Sequence, residues 1–170
     1  IIQTEPESIQ QMKELAAYYL QQKDTIHLQT MRKILYRDYN FREKTVQADS
    51  ILNEIQQTYI HQNDSNGILW TYSMKANLYE SMGKMDSALY YIDKRMAGEK
   101  TPSKRMYHYY QKAQLLMKAQ AYTDAEALLD SAKAIALTEK NEEFLYHLSA
   151  YYLQLYTAQG QYDKALQMVQ

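Results

Sequence analysis

Between residues 85 and 96 the apolar positions fall at Met85, Ala88, Leu89, Ile92 and Met96, while Asp86, Ser87, Asp93 and Lys94 occupy places between them. Spacings of three and four set the first group on one face of an α-helix and leave the second to solvent. Upstream, Tyr72, Ala76 and Tyr79 form another stripe, and Ser81-Met82-Gly83-Lys84 separates the two. Gly83 can enter the left-handed conformation that closes a helix, so the pattern predicts helix, tight turn, helix. It recurs as Tyr109, Ala113 and Leu116, a turn at Ala119-Gln120-Ala121, then Tyr122, Ala125, Leu129 and Ala132. It recurs again as Leu145, Leu148, Tyr152 and Tyr156, then Gly160, then Tyr162, Ala165, Leu166 and Val169. Near the start, Thr4-Glu-Pro-Glu7 has the form of a capping box, and Ile9, Met12, Ala16, Tyr19 and Leu20 supply a stripe behind it. Further helix starts are expected at Asp64 or Ser65, at Thr101-Pro102-Ser103 and at Asn141-Glu-Glu143, where short polar or acidic side chains suit an N-terminus. The result is an all-α chain of nine helices with no strand required.

The hairpins superimpose in sequence. Tyr39 to Ala48, Tyr79 to Ala88, Leu116 to Ala125 and Tyr156 to Ala165 are each nine residues apart, and the alanines recur after 40, 37 and 40 residues. Periods of this length belong to helical arrays. A small residue at this place lets the second helix approach the first closely, and the Tyr or Leu before it fills the space beside the crossing.

On these residues the chain resembles the tetratricopeptide repeat, whose period is about 34 and whose signature runs W-x2-L-G-x2-Y, then A-x3-F, then P. The best copy is Tyr72-x2-Lys75-Ala76-x2-Tyr79, then Gly83, then Ala88-x3-Ile92. Others are Tyr109-x2-Lys112-Ala113-x2-Leu116 with Ala125-x3-Leu129, and Ser149-x2-Tyr152-Leu153-x2-Tyr156 with Ala165-x3-Val169. The run from Gly160 through Tyr162 and Ala165 to Leu166 is the most family-like stretch. Lys75 and Lys112 stand where Leu is usual, Leu153 replaces the small residue, and the closing Pro is missing, so longer helices and a less regular array are expected. The resemblance implies a right-handed superhelical solenoid of antiparallel helix pairs. Its parts would be a capping helix at 5–22, a divergent repeat at 24–62, and repeats at 67–98, 103–138 and 141–170, the last truncated.

Composition trims the functional classes. The 170 residues are 46% apolar and 23% charged with a formal net charge of −1, which suits a packed domain and gives no overall field for nucleic acid or an anionic membrane. Cysteine is absent, which excludes disulfides, thiolate metal sites and cysteine nucleophiles. The four histidines, His27, His61, His108 and His147, have no metal-site spacing and read as ordinary surface or groove residues. The segment 63–67 is not a calcium loop, since Gln62 and Ser73 stand where carboxylate ligands belong, and Gly83-Lys84 lacks the rest of a phosphate loop. Glu142-Glu143 and Asp124/Glu126 read as helix-start charges. No catalytic group, metal or cofactor is therefore expected. Tyrosine is the oddity, with 18 copies against two Phe and one Trp; it suits both the seam between stacked helices and a binding surface.

In the tetratricopeptide family the first helix of each hairpin lines a concave groove. Carried onto this chain, the resemblance implies a lining of Lys33 and Arg37, then Trp70, Ser73, Asn77 and Glu80, then Tyr107, Tyr110, Gln114 and Lys118, and last His147, Ala150 and Gln154. Met74 breaks the Lys/Asn/Arg set by which some members clamp a terminal carboxylate. The basic cluster Arg32-Lys33, Arg37, Arg42 and Lys44 reads as a solvated helix face, partly offset by Asp38 and Glu43. The function expected is a non-catalytic scaffold for a protein or peptide partner, with no nucleic acid contacted and no membrane span. The resemblance extends this to the sensory or regulatory region of a larger bacterial signalling or transcription-regulating protein, and the chain, opening on Ile1-Ile2 and closing at Gln170, reads as an excised piece of it. A self-associating, homo-oligomeric array without a peptide ligand is the alternative.

Overall fold

The computed structural model describes residues 6–168, and all the regular structure within them is α-helical. In chain order the helices are α1 (Glu7–Gln21), α2 (Thr25–Phe41), α3 (Thr45–His61), α4 (Ser65–Ser81), α5 (Met85–Gly98), α6 (Pro102–Lys118), α7 (Tyr122–Thr138), α8 (Glu142–Ala158) and α9 (Tyr162–Gln167). Thr4 of the expected capping box and Val169 of the last stripe lie outside the described residues; α1 starts with Pro6 at its N-cap and no side-chain cap bond.

One turn design makes seven of the eight connections, all but that of α5 to α6. Lys23, Glu43, Asn63, Gly83, Gln120, Lys140 and Gly160 all have φ between +52° and +72°. At each, the N–H of the next residue reaches back five places, as in Asp24 to the Tyr19 carbonyl (3.0 Å), Lys44 to Tyr39 (2.9 Å) and Gln161 to Tyr156 (2.8 Å). This is the Schellman closure, which satisfies carbonyls a helix end would otherwise leave bare. The capping residue then opens the next helix: Asp24 accepts from the His27 N–H, Asp64 from Gly67 and Asn141 from Phe144. Asp64 and Asn141 were expected in this role, whereas Asp24 was not. Seventeen helical residues and a three-residue turn give a 20-residue step. The departure is α5, which has 14 residues and accounts for the 37-residue interval in the alanine series. The nine-residue interval is the step from the carbonyl capped by such a turn to the fourth residue of the next helix, where Ala48, Ala88, Ala125 and Ala165 are all buried.

The chain forms two compact units, residues 1–84 and 85–170, so the expected repeat 67–98 contributes α4 to the first and α5 to the second. In unit 1, contacts of α2 with α3 and of α3 with α4 run in opposite chain directions, as in Gln29 Nε2 donating to the Ile55 carbonyl and Tyr79 hydroxyl to Asp49. Its core holds Ile9, Leu35, Tyr39, Leu52, Ile55 and Leu78. Unit 2 has the same antiparallel order around Met106, Leu129, Ala132, Ala136, Leu148 and Leu155.

The units share a register. Helices α2, α3 and α4 begin at 25, 45 and 65, and α6, α7 and α8 at 102, 122 and 142, a constant offset of 77. Side-chain bonds follow it: Tyr79 to Asp49 (3.1 Å) matches Tyr156 to Glu126 (2.9 Å), and Lys75 Nζ to Asn53 (2.6 Å) matches Tyr152 to Asp130 (2.5 Å). The corresponding bond of α6 to α5 is Lys112 to Asp93, 2.6 Å. Lys75 and Lys112, odd substitutions in the repeat signature, thus form polar ties between neighbouring helices. Lys75 is buried and also donates to Gln56 at 2.6 Å; burial holds its ammonium below the usual lysine range, with Asp49 opposing the shift.

Candidate functional site

The residues expected to line a groove fall into two groups. In unit 1, Lys33 of α2 and Trp70 of α4 meet, the ammonium lying 5.0 Å from the indole centroid and 5.6 Å from that of Tyr59. Tyr36 meets Trp70 edge to face at 6.4 Å. Ser73 is buried with its hydroxyl donating to its own helix at the Leu69 carbonyl (3.2 Å), so it presents nothing to a ligand. Asn77 is exposed and Glu80 half-buried. Arg37 borders a separate depression of about 270 Å³ with Met12, Ile34, Asp38 and Phe41. Much of the basic cluster is paired internally: Arg32 binds Glu54 (2.9 Å) and Thr58 (3.0 Å), and Arg42 binds Asp38 (2.8 Å).

In unit 2 three of the predicted residues, Tyr107, Tyr110 and His147, come together. Tyr107 and Tyr110 of α6 with Phe144, His147, Leu148 and Tyr151 of α8 line a cleft of about 320 Å³. Its rings stand nearly perpendicular to one another. Tyr107 and Phe144 lie 4.9 Å apart at 78°, Tyr110 and Phe144 6.1 Å at 84°, and Tyr110 and Tyr151 4.5 Å at 67°. In such edge-to-face pairs the edge of one ring rests against the face of another, the arrangement that ring quadrupoles favour. The Tyr110 hydroxyl donates to that of Tyr151, and burial, then this bond, push its pKa well above the usual tyrosine range. Tyr110 is therefore uncharged at neutral pH. Glu143, exposed, stands one turn before His147 on α8. Gln114, Lys118 and Gln154 continue along the two helices away from the cleft, while Ala150 lies between His147 and Tyr151 on α8 and is not among the lining residues.

Tyr107, Tyr110 and His147 were assigned to the groove by repeat alignment, whereas Phe144, Leu148 and Tyr151 were not. The signal for these was the spacing of 144, 147, 148 and 151, which is one helical face. A wider depression of about 490 Å³ at the start of α9 is walled by five consecutive residues, 160–164, and brings no distant side chains together.

His108 corrects the reading of the histidines as surface or groove residues. It is buried, with Arg95 Nε donating to its Nε2 (3.0 Å), Gln111 Oε1 3.4 Å from its Nδ1 and Glu99 at 4.0 Å. Burial, then the Arg95 charge, hold its pKa below the ordinary histidine value. Among the described residues no three His, Asp or Glu side chains converge as metal ligands, and no helix is long and apolar enough to cross a membrane.

No family model and no curated protein matches the chain. Among solved structures it resembles the crystal structure of BtubC (BKLC) from P. vanneervenii, with a TM-score of 0.75 and 19% identity over 94% of this chain and 68% of that one. At that identity the likeness establishes a shared helical fold.

Proposed function

We propose that the chain is a tetratricopeptide-like, non-catalytic scaffold that holds a protein or peptide partner in the cleft between α6 and α8. The observation that carries this reading is the meeting of four aromatic rings from two helices around an open volume of about 320 Å³. Stiff aromatic walls offer large contact area at small entropic cost, and partly exposed rings such as Tyr107 give an incoming chain something to cover. A partner segment lying along α6 and α8 would meet Gln114, Lys118 and Gln154 next, a polar continuation suited to hydrogen bonding with a backbone. A role as the sensory region of a larger bacterial signalling protein is a narrower form of the same proposal. It rests on the repeat resemblance alone.

Peptides selected from a random library on the wild-type chain provide the test. Each is measured by calorimetry against a Tyr107→Ala, Tyr110→Ala double variant, with light scattering on both proteins. The expected result is at least a tenfold loss of affinity, the scale of truncating an aromatic anchor, with the mass unchanged. Equal affinity for both proteins would refute the cleft as the site. A wild-type oligomer dissolved by the double substitution would favour self-association instead.

A further inference from the structure

The two units, read in the shared register, treat one place differently. Lys33 of α2 corresponds to Tyr110 of α6, and Trp70 of α4 to His147 of α8. In unit 1 the chain fills this place itself, with the Lys33 ammonium resting on two aromatic rings, 5.0 and 5.6 Å from their centroids. One of those rings, Tyr59, comes from α3 and enters over Gly67, where a Cβ would stand only 2.3 Å from the ring. In unit 2 the same pair is exchanged in size. Ala136 replaces the Tyr and Phe144 replaces the Gly, so the ring comes from α8 instead. Both units thus place aromatic surface between the first and third helices of the register, and only unit 1 supplies a lysine to it.

Elsewhere the molecule habitually covers its tyrosines with its own cations: Lys94 lies over Tyr90, Arg105 over Tyr109, Lys133 over Tyr152 and Lys164 over Tyr156. Among the described residues no lysine or arginine is placed over Tyr107, Tyr110, Phe144 or Tyr151. Aromatic rings attract a cation electrostatically, and the Glu143 carboxylate one turn from His147 adds charge of the complementary sign.

We infer that the cleft between α6 and α8 takes the side chain of a lysine from the partner, packed against aromatic rings as Lys33 is packed within unit 1. This rests on the reading of the cleft as the partner site and names the chemistry that the site selects. The alkyl stem of a lysine suits the Leu148 and Phe144 walls, while its ammonium meets the ring faces.

The test uses the whole chain and two blocked tripeptides, acetyl-Gly-Lys-Gly-amide and its norleucine counterpart, which replaces the ammonium with a methyl. Binding is followed by NMR shifts of the tyrosine and Phe144 ring signals. The lysine peptide is expected to bind at least about fivefold more tightly than the norleucine peptide, with shifts centred on the cleft. Phe144→Leu, which keeps an apolar core residue, should lose the preference. Tyr110→Lys, which puts a side chain of this protein where Lys33 lies in unit 1, should abolish binding of both peptides. Equal or tighter binding of norleucine would overturn the lysine assignment while leaving the cleft as an apolar anchor site for a partner. Binding of neither peptide, or shifts remote from the cleft, would also overturn it, and the library peptides would then judge the partner site separately. Circular dichroism melts of both variants separate lost binding from lost folding.

Discussion

Five of the seven turn residues that close a helix do so with a side chain in the left-handed region, a conformation that costs an L-residue roughly 1 kcal/mol relative to glycine. Gln120 and Lys140 occupy the position that Gly83 and Gly160 fill without that penalty. Gln120→Gly is therefore expected to raise stability by about 0.5–1 kcal/mol, less than the strain relieved because the unfolded chain gains freedom, and Gly83→Ala to lower it by about 1 kcal/mol. Urea melts at constant m-value would show both. Gln29 is a second residue-scale case. Its Nε2 donates to Ile55, but its buried Oε1 meets no donor, and the corresponding residue in the other unit is the fully buried Met106. Gln29→Met should stabilise by about 1 kcal/mol by removing an unmet acceptor. A fall in urea midpoint would refute this.

His108 gives the acid limb its sign. Its folded pKa is depressed, so the unfolded chain takes up the proton first, and the stability tied to the neutral imidazole is complete above the unfolded value of 6.5 and lost as pH falls below it. Protonation would turn the Nε2 acceptor into a second donor facing Arg95, with Glu99 and Lys104 as the other nearby charges. His108→Met, which introduces the residue found at the matching Met31, should flatten the decline in melting temperature between pH 7 and 5. An unchanged slope would exclude His108 as its source. At the alkaline end the tyrosines act with the opposite sign. Burial, and then donation to Glu126, leave Tyr156 pushed up to about 12, so its contribution is complete below pH 10 and disappears as pH rises through 12. Tyr156→Phe should reduce that alkaline loss.

At the scale of the elements, the exchange of Tyr59 and Gly67 for Ala136 and Phe144 is a compensated pair. Gly67→Ala alone drives a methyl into the Tyr59 ring and should cost about 1–3 kcal/mol. In a Tyr59→Ala background most of that cost should vanish, and a double-mutant cycle returning no coupling would contradict the packing. This pair also explains what sequence could and could not reveal. The helices and the recurring alanines followed from apolar spacing, because a buried stripe must repeat with the helix period, whereas the turns at Lys23 and Glu43 carried no glycine to mark them. The role of Lys75 did not, since its partners Asn53 and Gln56 lie on another helix and become its neighbours only through the hairpin register. Repeat alignment grouped the buried Ser73 with Tyr107 and Tyr110, because it reports a helical position and not whether a neighbouring helix has already covered it.

Across the whole molecule, two units built to one register differ where α2 meets α4 in one and α6 meets α8 in the other. Unit 1 closes that place with its own lysine and a tyrosine over a glycine, and unit 2 leaves it open between four rings. Ties such as Tyr79 to Asp49 and Tyr156 to Glu126 are kept in both, so the difference lies in the cleft and not in the framework around it. A crystal structure of the chain bound to its tightest library-selected peptide tests this account most directly. The account predicts the peptide between α6 and α8, with one of its side chains enclosed by Tyr107, Tyr110, Phe144 and Tyr151; a peptide seated on another face with that cleft empty would contradict it.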